Sequence, residues 1–129
     1  MTASAEAVYK ELCRKSVEAG RSGDVTSSHC TAFNMVQEAV KRIIPNDPLN
    51  KRYALEGGLS NVFRIRKGRM RICWIASSKT RRVLILYISE TLRKEGDAAD
   101  PYRILTKLVA SGEFDDLFEQ MGVRIPQKR

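Results

Sequence analysis

Arginine alternates with apolar residues along two neighbouring stretches of the chain, residues 62–66 and 69–75. A period of two is typical of β-strands with unlike faces, because successive side chains point to opposite sides of a sheet. Lys67 and Gly68 lie between the stretches and are expected to form the turn of a hairpin. Guanidinium groups gathered on one face bind phosphate bidentately, so the pattern suggests recognition or cleavage of a polyanion.

The expected two-residue turn fixes which arginines face one another. It places Arg66 opposite Arg69 and Arg64 opposite Arg71, with all four side chains on one face of the sheet. Like charges directly opposite each other destabilise a hairpin by roughly 0.2 to 1 kcal/mol, so a purely structural face predicts mixed signs. The alternative is a solvated face, or one that pairs with acidic residues from the C-terminal third of the chain.

The excess of basic residues is concentrated in one stretch. Residues 57–89 contain eight Lys or Arg and no acid, whereas the remainder balances at 15 basic and 15 acidic residues. The net charge of +8 favours acidic partners, and its position on the expected sheet favours a nucleic acid. Lys67 and Arg82 belong to this stretch and are expected to contribute to binding.

Other kinds of catalytic site are poorly supported. Cys13, Cys30 and Cys73 are widely spaced and form no metal-ligand pair, so we interpret them as small buried hydrophobes. His29 is the sole histidine, which leaves no pair for the two-histidine mechanism of many ribonucleases. No Gly-rich phosphate loop follows a strand. We therefore expect neither a metal nor a cofactor.

Helical patterns flank the basic stretch. Residues 3–19 are rich in helix formers with apolar side chains at near-helical spacing, and a second helix is expected over residues 28–44, ended by Pro45 and Pro48. Downstream, Asp100 followed by Pro101 is a favourable helix start, because the carboxylate caps free amides and proline fits the first turn. The C-terminal helix is expected to begin there.

Residues 83–88 are apolar throughout, as expected for a central strand covered on both faces, and residues 49–55 could add a short edge strand. Gly112 is a suitable C-cap for the C-terminal helix. The apolar residues within 114–121 suggest a further short helix, and residues 123–129 resemble a frayed basic tail.

This order predicts an α+β fold with two N-terminal helices, a three- to four-stranded antiparallel sheet and a C-terminal helix. Helices on one side would leave the other face of the sheet open to a ligand. We expect one domain over residues 1–129, with helices in 3–44, the sheet in 52–88 and the C-terminal helical part in 100–121. No apolar run is long enough to span a bilayer and no signal peptide is evident, so we expect a cytoplasmic protein.

Three motifs in the second half of the chain resemble one family of proteins. They are Gly-Arg-Met-Arg-Ile at residues 68–72, Thr-Leu-Arg-Lys-Glu-Gly at 91–96 and Asp-Pro-Tyr at 100–102. Together with the apolar strand that ends in Tyr87, they resemble the corresponding run of YhaV-like toxins of the RelE superfamily. The resemblance covers about residues 55–118.

The resemblance implies a RelE-like fold that cleaves mRNA without a metal, often at the ribosome, and is held inactive by an antitoxin, here one of the AbrB-like kind. It also implies which residues form the site. The family's basic pair, strand arginines, post-strand basic residues and helix-start aromatic fall on Arg64, Arg66, Arg71, Arg69, Arg93, Lys94 and Tyr102.

Such a set suits attack of a 2′-hydroxyl on the adjacent phosphate, because guanidinium groups stabilise the charge of the phosphorane. Arginine is a poor base, so proton transfer needs another group or the ribosome. Tyr102 could move the proton or stack on a base, or it could simply pack beside the sheet. Asp100 is better suited to capping than to catalysis, and the role of Glu90 stays open.

The sequence thus predicts a metal-independent endoribonuclease toxin with Arg64, Arg66, Arg71, Arg93 and Tyr102 as catalytic residues. Lys67, Arg69, Arg82 and Lys94 are expected to bind RNA. The main alternative is a non-catalytic RNA- or ribosome-binding module, which the lack of an obvious general base favours. A DNA-binding protein is less well supported, because no basic recognition helix is apparent.

Overall fold

The computed structural model describes residues 1–21, 23, 28–55, 59, 61–67, 70–79, 81–89 and 101–126. The helices are α1 (Ala3–Arg21), α2 (Ser28–Glu38), α3 (Ile44–Asn46), α4 (Pro101–Ala110) and α5 (Asp115–Met121). The strands are β1 (Phe63–Lys67), β2 (Met70–Ser77) and β3 (Arg82–Ser89), which form one antiparallel sheet in that order. The predicted α+β fold is confirmed. No helix that the structure describes is long and apolar enough to cross a membrane.

Thr2 ties the start of α1 to the sheet. Its hydroxyl accepts a hydrogen bond from the Ala5 amide at 3.2 Å, as an N-cap does, and donates one to the Leu86 carbonyl at 2.7 Å. The Thr2 amide also donates to the Ile85 carbonyl at 2.9 Å. The first helix is therefore anchored on β3, an edge strand, where otherwise unpaired backbone groups gain partners.

The second predicted helix is present but changes its winding. Ala39–Ile43 form a π-helical turn between α2 and α3, and the Ile44 amide donates to the Ala39 carbonyl. Pro45 lacks an amide hydrogen, and its ring would clash with the carbonyl four residues earlier in a regular α-helix. The wider π-helical turn relieves that clash. Pro45 therefore does not end the helix, contrary to the expectation, because α3 includes it and ends at Asn46, two residues before Pro48.

The β1–β2 hairpin has a register different from the predicted one. Lys67 pairs with Met70, so it belongs to β1 and not to the turn, and Arg66 pairs with Arg71 instead of Arg69. Lys-Gly is a weaker two-residue turn signal than Asn-Gly, so the sequence specified the register poorly. Arg64 consequently pairs with Cys73. The shift moves each partner by two positions, so the predicted faces of Arg64, Arg66 and Arg71 are unchanged.

Each face of the sheet carries its own core, contrary to the expectation of helices on one side only. One face packs on α1 and α2 through a cluster that includes Ala5, Leu12, Val36, Ile65, Met70, Ile72, Trp74 and Ile88. The other packs on α4 and α5 through Cys73, Ile75, Leu86, Leu105, Val109, Phe114, Phe118 and Met121. The ligand-accessible part of the second face is thereby reduced to the end that carries the arginines.

The segment before β1 forms a turn instead of the suggested edge strand. Lys51–Tyr53 is a 3₁₀ turn whose N-cap, Asn50, accepts a hydrogen bond from the Arg52 amide at 3.0 Å. Only Ala54 then pairs with the sheet, through a single bridge to Phe63. An Asn side chain bonded to the backbone two residues on favours a turn over an extended strand, which explains the difference.

The C-terminal helices end as the glycines suggest. Gly112 follows α4 with φ of +85°, which confirms it as a C-cap residue, and Gly122 follows α5 with φ of +66°. The Val123 amide then bonds to the Phe118 carbonyl at 2.9 Å, closing a Schellman motif. Residues 123–126 are not frayed: Val123 and Ile125 pack on the second core, whose apolar surface they cover.

Candidate functional site

An open cleft of about 550 Å³ lies where the arginine-bearing end of the sheet meets the start of α4. Its lining residues are Arg52, Tyr53, Arg64, Ile65, Arg66, Arg71 and Tyr102. Four of the seven are arginines, and no acidic side chain lines the cleft among the described residues. Clefts lined by one sign of charge attract ligands of the opposite sign, so this cleft suits an anion.

Arg66 and Arg71 belong to the first of two rows of paired residues that run across the strands at the site. They are cross-strand partners on β1 and β2, and Arg71 pairs with Ser89 of β3 in turn. Arg71 is only 5% exposed, because strands flank it on both sides, whereas Arg66 is exposed. Burying a guanidinium costs desolvation free energy, which favours a functional reason for an arginine at this position.

In the second row, Cys73 of β2 pairs with Arg64 of β1 on one side and with Tyr87 of β3 on the other. Cys73 is 1% exposed, and burial raises the pKa of its thiol to about 12, while the nearby charges of Arg64 and Arg71 oppose that rise. The thiol is therefore protonated at neutral pH and is a poor nucleophile. The interpretation of Cys73 as a small buried hydrophobe is confirmed.

Tyr87 lies beside these arginines, but its role is mainly structural. Burial raises the pKa of its hydroxyl, and a hydrogen bond with Ser89 partly opposes that rise. The ring packs on the second core, as expected for a residue of an apolar strand. Tyr87 thus supports the sheet face behind the arginines.

Tyr102 reaches the cleft from the first turn of α4. Its side chain is half-buried, packs on the second core and lines the cleft at the same time. The sequence left open whether Tyr102 belongs to the site or packs beside the sheet, and the structure shows that it lines the cleft and also packs on the second core. An aromatic ring fixed in this way has little freedom to lose when a base or phosphate binds beside it.

Arg52 and Tyr53 are cleft residues that the sequence analysis missed. Arg52 lies over the Tyr53 ring, with its guanidinium carbon 4.6 Å from the ring centroid. The two residues precede the arginine-rich stretch and show no alternating pattern. The sequence feature that could have predicted their position is Asn50, a capping residue that indicates a turn next to the first strand of the basic hairpin.

The remaining predicted residues are placed as follows. Arg82 is exposed at the start of β3 and pairs with Ser77, at the opposite end of the sheet from Arg71, so it does not line the cleft. For Lys67 only the backbone is described. Arg69, Glu90, Arg93, Lys94 and Asp100 lie outside the described residues.

Within the described residues, no three His, Cys, Asp or Glu side chains are grouped as a metal site requires. The candidate site is instead a cationic cleft with one aromatic hydroxyl, that of Tyr102, at its α4 side. Such an arrangement binds phosphate oxygens and stabilises negative charge.

Comparison with known proteins gives one match. No curated protein and no solved structure shows significant similarity to the chain. A family of toxins with endonuclease activity, from toxin–antitoxin systems, matches residues 3–124, which is nearly the whole chain and includes every cleft residue. The chain therefore belongs to the YhaV family of toxins.

Proposed function

We propose that this toxin is a metal-independent endoribonuclease that cleaves mRNA, with assistance from the ribosome, and leaves a 2′,3′-cyclic phosphate. The observation that carries the proposal is the convergence of Arg52, Arg64, Arg66 and Arg71 with Tyr102 in one cleft. A cleft that holds several guanidinium groups and no described carboxylate is suited to a phosphodiester.

In this mechanism the arginines stabilise the negative charge that develops on the phosphate group. The 2′-hydroxyl attacks the adjacent phosphorus, the bond to the 5′-oxygen breaks, and the phosphorane between these steps carries extra negative charge. Arg71 is held rigidly by strands on both sides, and Arg64 lies close enough for both charges to affect Cys73. Two guanidinium groups brought together on one face of the sheet orient the phosphate and stabilise that charge.

Proton transfer falls to other groups. Tyr102 lines the cleft at the start of α4, and its hydroxyl is proposed to donate or accept a proton. Arg93, which lies outside the described residues, is proposed to add positive charge. Arginine does not release its proton readily, and no imidazole lines the cleft among the described residues. Ribosomal assistance in positioning or proton transfer is therefore part of the proposal.

A toxin of a toxin–antitoxin system has a cognate antitoxin. We propose that the antitoxin, of the AbrB-like kind, covers this cleft with an acidic segment. The supporting observation is the single sign of charge among the ionisable residues of the cleft. Carboxylates would then occupy the positions that phosphate groups take during cleavage.

The test is induced expression of the wild type, Arg71→Lys and the control Arg124→Lys, with growth and mRNA ends recorded. Arg124 is exposed and lines a different pocket, so Arg124→Lys is the same substitution made away from the cleft. We expect growth arrest and new mRNA ends from the wild type and the control only. Unchanged growth and intact mRNA for all three proteins, with RNA still bound by the purified wild type, would support the non-catalytic alternative instead.

A further inference from the structure

The turn beside β1 holds Arg52 in a defined place. The Asn50 side chain accepts from the Arg52 amide at 3.0 Å, and its own amide group donates to the Asp47 carboxylate at 2.9 Å. The Tyr53 amide bonds to the Asn50 carbonyl at 3.0 Å, which closes the turn. The backbone at Arg52 is thus fixed by three hydrogen bonds within seven residues of chain.

Tyr53 is anchored in the first core below this turn. It is 8% exposed, and its ring meets Trp74 edge-on with 5.5 Å between centroids. Trp74 is itself fully buried, and its indole N–H donates to the Pro48 carbonyl at 2.9 Å. Edge-to-face pairs of this kind are stabilising beyond the area that they bury, so the Tyr53 ring is a rigid support.

The Arg52 side chain is held by that support and not by an acid. Its guanidinium lies over the Tyr53 ring and donates to the Tyr53 hydroxyl. It forms no ion pair with any acidic residue that the structure describes. An exposed arginine ordinarily loses side-chain entropy when it binds a ligand, and a guanidinium already held in place loses less. Arg52 is therefore preorganised and retains its charge for a partner.

Arg52 lies on the outer side of β1, away from β2. Ala54 bridges to Phe63, so the chain around the turn lies about one strand spacing, roughly 5 Å, outside β1 and about 10 Å from the strand that carries Arg71. Both arginines nevertheless line the same cleft. The two side chains enter the cleft from backbone segments about two strand spacings apart, which suits two phosphates of one strand better than a single phosphate.

We propose that Arg52, held by Tyr53, binds a phosphate next to the scissile one and so sets the position of single-stranded RNA in the cleft. This inference rests on the proposed function, because it takes RNA as the ligand. It adds a second phosphate position outside β1 to the site formed by Arg64, Arg66 and Arg71. Arg52 is a positioning residue: it fixes which linkage lies against Arg71.

The first test measures how the purified protein binds an uncleavable 2′-O-methyl oligouridylate at several salt concentrations. We expect Arg52→Ala to weaken binding about tenfold, because a charge-assisted contact is lost. The slope of log affinity against log salt should fall by about 0.7, the value for one single-strand phosphate contact. Arg124→Ala, which removes the same charge elsewhere, should leave both close to wild type.

Two further variants separate charge from position. Tyr53→Phe keeps the charge of Arg52 but removes the hydroxyl that holds it, so we expect weaker binding with an unchanged salt slope. Arg52→Lys should behave similarly, because lysine retains the charge without the planar, stacked geometry. Trp74 fluorescence during urea unfolding reports whether each variant is folded.

The second test counts phosphates directly. Binding of 2′-O-methyl uridine dinucleotide and trinucleotide, which have one and two internal phosphates, is compared by NMR titration. The second phosphate should increase affinity for wild type and Arg124→Ala, and this gain should disappear in Arg52→Ala. An equal gain in all three proteins would overturn the role of Arg52 and leave the RNA cleft intact. Absence of any RNA binding by the wild type would overturn both this inference and the proposed function.

Discussion

Arg66 and Arg71 face each other directly across the β1–β2 hairpin, with their side chains on the same side of the sheet. Opposed like charges destabilise a strand pair, and here one of the two is also nearly buried. The hairpin is therefore less stable than the same backbone could be. A shared anionic ligand removes this conflict, because it is attracted to both charges at once.

Replacing Arg66 with threonine should make the fold more stable and the toxin weaker. Threonine favours strands and removes the repulsion with Arg71, so we expect a gain of about 0.5 kcal/mol in the free energy of unfolding. RNA binding should fall at the same time. Urea unfolding at low and high salt measures the gain, which should shrink as salt screens the charges. A loss of stability at low salt would contradict the repulsion.

Arg71→Lys should lower RNA cleavage by about 100-fold, the order of effect seen when one oriented donor to a transition state is removed. Lysine keeps the positive charge but cannot form the bidentate contact. Initial rates on one substrate, compared with Arg124→Lys, measure the effect. A rate within a few fold of wild type would show that Arg71 supplies charge alone.

Thr2→Ala should destabilise the protein by about 1 to 2 kcal/mol, because it removes the N-cap of α1 and the side-chain bond to the Leu86 carbonyl. Thr2→Ser keeps the hydroxyl and should stay close to wild type. Urea unfolding followed by Trp74 fluorescence gives both values. Equal stability of the alanine and serine variants would show that neither hydrogen bond matters for the fold.

Alkaline pH should destabilise the fold through Cys73. Its folded pKa of about 12 lies above the ordinary value of 9.0, so only the unfolded state loses the proton between these values. The unfolded state then binds fewer protons, and the free energy of unfolding falls as pH rises above about 9. From pH 8 to pH 10 the expected loss is about 1 kcal/mol.

The control for this effect is a matched pair of cysteine variants. Cys73→Ala should lack the alkaline loss, whereas Cys13→Ala, at a half-exposed position, should retain it. Unfolding free energies are compared below pH 10, because Tyr87 also has a raised pKa and adds a loss in the same direction at higher pH. The same slope in both variants would assign the effect to other groups.

The periodicity of apolar residues was sufficient to predict most of the fold, but not the register of the hairpin or the helical turn before Pro45. The alternation of arginine and apolar residues predicted the faces of β1 and β2 correctly, since a face depends only on odd or even position. The register depended on which two residues form the loop, and that choice rested on weak turn signals. The π-helical turn before Pro45 arises because packing keeps a helix going that proline would otherwise end.

The cleft could be predicted where it is built from one hairpin and not where distant segments meet. Arg64, Arg66 and Arg71 share strands, so their spacing alone groups them. Arg52 reaches the cleft because Tyr53 is anchored on Trp74, a contact between residues far apart in the chain. Arg82 shares the basic stretch with the others but lies at the far end of the sheet, because strand direction reverses between β2 and β3.

The most direct test of the central claim uses the purified toxin with ribosomes and an mRNA that the wild type cleaves at a mapped site. Mg²⁺ is kept at the level that ribosomes need, and free RNA is tested in parallel in excess EDTA. A single 2′-deoxy substitution at the mapped site should abolish cleavage there, and the unsubstituted RNA should yield a 2′,3′-cyclic phosphate end. Cleavage that persists at the 2′-deoxy position, or that leaves a 5′-phosphate and a 3′-hydroxyl, would contradict attack by the 2′-hydroxyl in an arginine-lined cleft.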